Sequence, residues 1–97
     1  MAENAVVATR KAIGQTLRSR RLERNLKQRE IASQANIDYT YLSKIETGSQ
    51  VPSVDALVRI TEALGLSSTE TKDLFALLGR IPDSVPPQER RRYFGLS

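Results

Sequence analysis

Between residues 38 and 44 the chain reads Asp38-Tyr39-Thr40-Tyr41-Leu42-Ser43-Lys44. Asp38 is a good helix N-cap, and on a helix it starts, Tyr39, Thr40, Ser43 and Lys44 lie opposite Leu42 and Ile45. Such a face carries hydroxyls and an ammonium that can donate to guanine N7 and O6 or to a phosphate. Its methyl group and its two aromatic rings, Tyr39 and Tyr41, can meet thymine methyls. Covalent chemistry has far less to work with. Cysteine and histidine are both absent, which removes the thiol nucleophile, the usual general base and the commonest metal ligands. The acids Asp38, Asp55, Glu46 and Glu62 read as caps, an ion pair and surface charges, and no glycine-rich phosphate loop exists. The residues point to a non-enzymatic protein that needs neither metal nor cofactor.

What must position that face is a small chain. Its 97 residues and 39% hydrophobic content describe one globular domain with a modest core. Fifteen Lys and Arg against eleven Asp and Glu leave a net charge of +4, a mild pointer to a polyanionic partner. The excess sits on residues 1–25, and a second basic cluster stands at Arg90-Arg91-Arg92. The apolar run Ala5-Val6-Val7-Ala8 is too short for a secretory core or a membrane span. A cytoplasmic protein, on the nucleoid if bacterial, is the expectation.

Apolar residues recur at helical spacing and nowhere alternate cleanly, so the fold is expected to be all-α with five short helices. Ile13, Leu17 and Arg21, with Leu22 beside them, mark a first helix over 12–25, with residues 1–11 as an arm or an extension of it. A second runs from Gln28 to Ala35 and ends at Asn36, which tolerates the left-handed conformation. A third follows Asp38 to Thr47 and is closed by Gly48. Pro52-Ser53 opens a fourth through Val54, Leu57, Ile60 and Leu64, stopped by Gly65. Ser67 and Glu70 read as a capping box for a fifth, which carries Leu74, Phe75, Leu77 and Leu78 and ends at Gly79. The folded domain is placed at 12–80. Three prolines make 81–97 an extended tail, a helical turn near 88–93 being its one candidate element.

Two short helices joined by so few residues cross steeply, which is helix-turn-helix geometry, here at 28–47. Ile31, Ala35, Ile37, Leu42 and Ile45 are its inward positions, with Ala32 small at the crossing. Arg21 continues the stripe of Ile13 and Leu17, and Glu46 that of Leu42. Each places a charge where an apolar residue is expected, so the economical expectation is that they meet. The segment QREIASQANIDYTYLSKIETG, followed by VPSVDALVRITEALGL, resembles the Cro/C1-type (XRE) helix-turn-helix domain of phage repressors and bacterial regulators. The likeness covers roughly residues 13–66. Asn36 stands where the family usually has Gly, and Ala35 where it often has a larger aliphatic residue.

The resemblance implies a compact lambda-repressor-like fold and a double-stranded DNA partner. It implies a phosphate contact from Gln28 and base reading by Tyr39 and Thr40, with Lys44 one turn along. Further phosphate contacts fall on Ser49, Gln50 and the backbone around Pro52-Ser53, and the family also has an Arg–Glu pair at the positions of Arg21 and Glu46. Arg18, with Arg20 and Arg24, either widens the electrostatic footprint or merely solvates the first helix. Lys44, Tyr39 and Tyr41 likewise have bland readings as surface residues. The family often dimerises through the segment after its fourth helix, which implies a homodimer interface at Leu74, Phe75, Leu77 and Leu78. The leading expectation is a sequence-specific regulator, a repressor on a near-palindromic operator. The alternative is an antitoxin or adaptor whose fifth helix and tail bind a protein partner. A restriction–modification controller is a subtype of the first.

Overall fold

A computed structural model describes residues 2–81, five α-helices with no strand among them. They are α1 (Ala2–Glu23), α2 (Gln28–Ala35), α3 (Tyr39–Thr47), α4 (Val54–Leu64) and α5 (Ser68–Leu78). The all-α, five-helix expectation holds, and the ends of α2, α3 and α4 fall where their caps place them. Asp38 Oδ1 accepts from the Thr40 amide at 2.7 Å, and Ser53 Oγ accepts from the Ala56 amide at 3.0 Å. Asn36 closes α2 in the left-handed region at φ 54°, doing the work of the more usual glycine.

Three expectations change. The first helix takes in residues 2–11 and so spans 22 residues, about 33 Å at 1.5 Å per residue. Its far end comes earlier than residue 25, because Asn25 turns left-handed at φ 55°. Leu22 lies 51% exposed on its outer side and takes no part in the apolar stripe. Ser67 and Glu70 join at the start of α5 as the capping box expects: Ser67 Oγ accepts from the Glu70 amide, and the Glu70 carboxylate reaches back to Ser67 while also meeting Arg20.

α1 lies across α3 and α5, while α2 packs on α3 and α4. The core joins Ile13 and Leu17 of α1 to Ile31 and Ala35 of α2, Leu42 and Ile45 of α3, and Leu57, Ile60 and Leu64 of α4. Fully burying one such Leu or Ile contributes about 1.5–3 kcal/mol. Leu74, Phe75 and Leu78 of α5 are also buried, at 5% exposure or less. This corrects the reading of those three as surface for a second copy: they close the chain's own core. Only Leu77 of that set is half-buried. Ile81, placed in the tail by the sequence, is buried in the same cluster. The basic run Arg90-Arg91-Arg92 and the rest of the tail lie outside the described residues.

α1 and α3 meet more closely than side chains allow. Gly14 is buried mid-helix, and a Cβ there would lie 2.6 Å from the Glu46 carbonyl oxygen and closer still to that of Ile45. A glycine costs a helix interior about 1 kcal/mol relative to alanine, and this approach is what it permits. Gly48 combines both uses of glycine. Its φ is 82°, and a Cβ would meet the Lys11 backbone at 2.9 Å.

Candidate nucleic-acid interface

The position of α3 is set by a buried polar junction. Arg21 Nε donates to Glu46 Oε2 at 2.8 Å and its Nη2 to Oε1 at 3.0 Å, a two-pronged ion pair between α1 and α3. The remaining guanidinium nitrogen, Nη1, donates to the Leu26 carbonyl at 2.8 Å, closing the turn before α2. Gln28 Nε2 donates to Glu46 Oε1 at 2.8 Å. One carboxylate thus gathers α1, α2 and α3, and Arg21 meets Glu46 as expected.

Gln28 is consequently less free than its phosphate role implies. It is half-buried, with one amide hydrogen committed to Glu46. What remains for an anion is its second amide hydrogen and the backbone amides of Gln28 and Arg29 at the start of α2, since the Glu30 amide donates to the Lys27 carbonyl at 3.0 Å.

On the far side of α3 from Leu42 and Ile45, the residues Tyr39, Thr40 and Lys44 are exposed and Ser43 is half-exposed. These four share a surface because 39 and 43, and 40 and 44, are one helical turn apart. Tyr41 does not join them. Two residues on from Tyr39 it stands about 200° around the helix, half-buried against the core. Its Oη accepts from the Ser53 amide at 2.9 Å. Tyr41 is therefore a strut between α3 and the start of α4, and the structure does not bring it to the exposed face it was expected to share with Tyr39.

The loop after α3 also satisfies itself more than expected. The amides of Ser49 and Gln50 both donate to the Lys44 carbonyl, at 3.0 and 3.3 Å, and the Ser49 hydroxyl donates there too, at 3.2 Å. Pro52 has no amide hydrogen and the Ser53 amide is held by Tyr41, so of the backbone around this pair an anion is left with the amides of the neighbouring residues at the start of α4. The exposed Gln50 side chain and the hydroxyl hydrogen of Ser53 remain as donors in this stretch.

A cationic concavity adjoins the exposed face of α3. Arg18, Lys27, Gln28, Arg29 and Tyr39 line it, above the buried Arg21. This brings Arg18, Gln28 and Tyr39 together from three helices and adds Lys27 and Arg29, which the sequence reading passed over. The Arg29 guanidinium lies over the Tyr39 ring, 5.3 Å from its centroid. Arg29 is one residue beyond the matched glutamine, and no linear spacing pairs it with residue 39; only the crossing of α2 and α3 does.

Arg20 and Arg24 face elsewhere. Arg24 Nη1 donates to the Arg20 carbonyl. Arg20 stands among Glu23 at 2.8 Å and Glu70 at 2.7 Å, whose charges, Glu23 first, raise its pKa further above the ordinary arginine range. Burial pushes the Glu70 carboxyl upward, but the Ser67 hydroxyl and Arg20 together outweigh it and hold Glu70 below the usual glutamate range. Among the described residues no three or more potential metal-ligating side chains gather, and no helix is long and apolar enough to cross a membrane.

Comparison with known proteins agrees with this geometry. Residues 12–74 match the family described as a helix-turn-helix domain. The chain is 39% identical over 56 residues to the ImmF control region 10 kDa protein of Bacillus phage phi105, a match covering 58% of this chain and 62% of that protein. It is 34% identical over 61 residues to the uncharacterized HTH-type transcriptional regulator y4dJ of Sinorhizobium fredii, covering 63% of this chain and 79% of the relative. The crystal structure of the clp gene regulator ClgR from C. glutamicum superposes with a TM-score of 0.61 at 32% identity, over 71% of this chain and 86% of that one. The chain therefore belongs to the helix-turn-helix domain family, in its XRE-like form.

Proposed function

We propose that the protein binds double-stranded DNA by sequence and represses transcription by occupying promoter DNA. The observation that carries the reading is the α3 face. Tyr39, Thr40 and Lys44 project from a helix locked underneath by the Arg21–Glu46 pair and flanked by the Arg18, Lys27 and Arg29 cations. On this reading α3 lies in the major groove with its first turn against base edges, and the cations and the first turn of α2 take phosphates. The role is non-enzymatic and cytoplasmic.

The regulator acts as a homodimer on a near-palindromic operator, with half-sites about one helical turn, roughly 34 Å, apart. With Leu74, Phe75 and Leu78 buried, Leu77 is the residue of the original four left to join a contact between copies. The same burial weighs against an antitoxin or adaptor role through the apolar face of α5.

Selection of bound duplexes from a random pool, repeated at two salt concentrations, tests the reading. A defined, near-symmetric motif is expected, with affinity falling steeply as salt rises. Equal retention of all sequences, or a selected motif unaffected by replacing Tyr39, Thr40 and Lys44 together, would refute it.

A further inference from the structure

We propose that Arg29 is a positioning residue for base selection: its guanidinium pins the Tyr39 ring against one base step while its own N–H edge takes the neighbouring phosphate. The inference rests on the DNA reading proposed above and assigns to one side chain two roles that are usually separate.

Three observations carry it. Arg29 lies over the Tyr39 ring, and both are exposed at the first turns of their helices, α2 and α3. Unlike Arg20, Arg21 and Arg59, which each lie against a carboxylate, Arg29 meets none among the described residues, a property it shares with Arg18 beside it, and what sets it apart is the ring beneath it. Finally, Arg18, Lys27 and the start of α2 surround the same concavity, so an anion there meets several donors at once.

The chemistry of the guanidinium makes the two roles compatible. It is planar, with five N–H donors directed outward in its own plane, so resting a face on an aromatic ring leaves those donors available. Tyr39, as the first residue of its helix, has no preceding helical turn to restrain its ring. Contact with Arg29 restricts it before DNA arrives, lowering the entropy lost on binding. A cation over an aromatic ring at an exposed site shifts an equilibrium roughly two- to fivefold. Arg29 should therefore affect both the salt dependence of binding and the preference at one base position.

Random-pool selection and salt-titrated affinities on the full chain separate these effects in wild type, Arg29→Ala, Arg29→Lys, Tyr39→Leu and Arg29→Ala/Tyr39→Leu. Tyr39→Leu identifies the base position that Tyr39 reads. Arg29→Ala is expected to reduce preference there roughly two- to fivefold, leave other positions intact, and reduce the salt slope by about one phosphate contact. Arg29→Lys keeps the slope but loses part of the preference, because an ammonium is still drawn to the ring as a point charge but has no planar face to stack and hold it. In the Tyr39→Leu background, Arg29→Ala lowers the slope alone. Unaltered preference at the Tyr39 position in both Arg29 variants overturns the proposal, as does an equal loss at every position. A wild-type chain with no sequence preference defeats the DNA reading itself, and that is known before any variant is compared. Both side chains are exposed, so unchanged thermal melting is the folding control.

Discussion

Arg20 and Arg21 are adjacent on α1, and each meets a glutamate on another helix, yet the two junctions differ in kind. Arg21 and Glu46 have side chains 9% and 2% exposed and share two hydrogen bonds. Arg20 and Glu70 have side chains 35% and 34% exposed, and Arg20 divides its charge between Glu70 and Glu23. One residue of helical rotation, about 100°, sends Arg20 to α5 and Arg21 to α3. The buried contact fixes α3, whereas water and salt compete with the exposed one. Similar chemistry therefore yields a structural tie in one place and a surface contact in the other, and burial makes the difference.

The largest effect should come from breaking the buried junction. Glu46→Ala leaves Arg21 charged and without its carboxylate inside the protein, and is expected to lower stability by about 3–5 kcal/mol. Arg21→Ala/Glu46→Ala should lose much less than the sum of the single variants, measured by denaturant unfolding. Strict additivity would mean that the two side chains do not act as a pair. Next comes the approach of helices around that junction. Gly14→Ala inserts a methyl against the Ile45 and Glu46 carbonyls, and separating α1 from α3 is expected to cost about 1–3 kcal/mol, despite alanine's better helix propensity. A variant as stable as wild type would mean the helices can separate freely.

The smallest effect belongs to α5. Because Glu70's carboxyl is held below its ordinary range in the folded chain, its contribution is present at neutral pH and disappears as pH falls through the folded pKa. Glu70→Gln should shift the thermal midpoint slightly at pH 7 and low salt. The difference from wild type should close on acidification and also in high salt. A gap that persists at acidic pH would show that charge is not what links Arg20 to Glu70.

These contrasts also show what could be read along the chain. Caps and left-handed stops are local chemistry, so Asp38, Asn36, Gly48, Ser53 and Gly65 marked helix ends correctly. Arg21 and Glu46 were legible because each placed a charge on an apolar stripe, and a charge there needs a partner. Gly14 carried no such signal, since a glycine in a helix looks like a weak point until a second backbone is brought against it. The α5 leucines were read as surplus because the sequence does not reveal that the long α1 leaves a side of the core for them to cover. The places of Tyr41 and Arg29 are not legible in the sequence for a related reason. Their partners, Ser53 and Tyr39, lie 12 and 10 residues away, and only the angle between helices determines that they meet.

The burial of Ile81 has a practical consequence for anyone cutting or fusing this chain. It works as a stopper in the floor of the bundle, so a fragment ending at residue 66 or 80 would open that floor to water and report on damage instead of on assembly. A tag, cleavage site or fused domain belongs after residue 81, where the stopper stays seated.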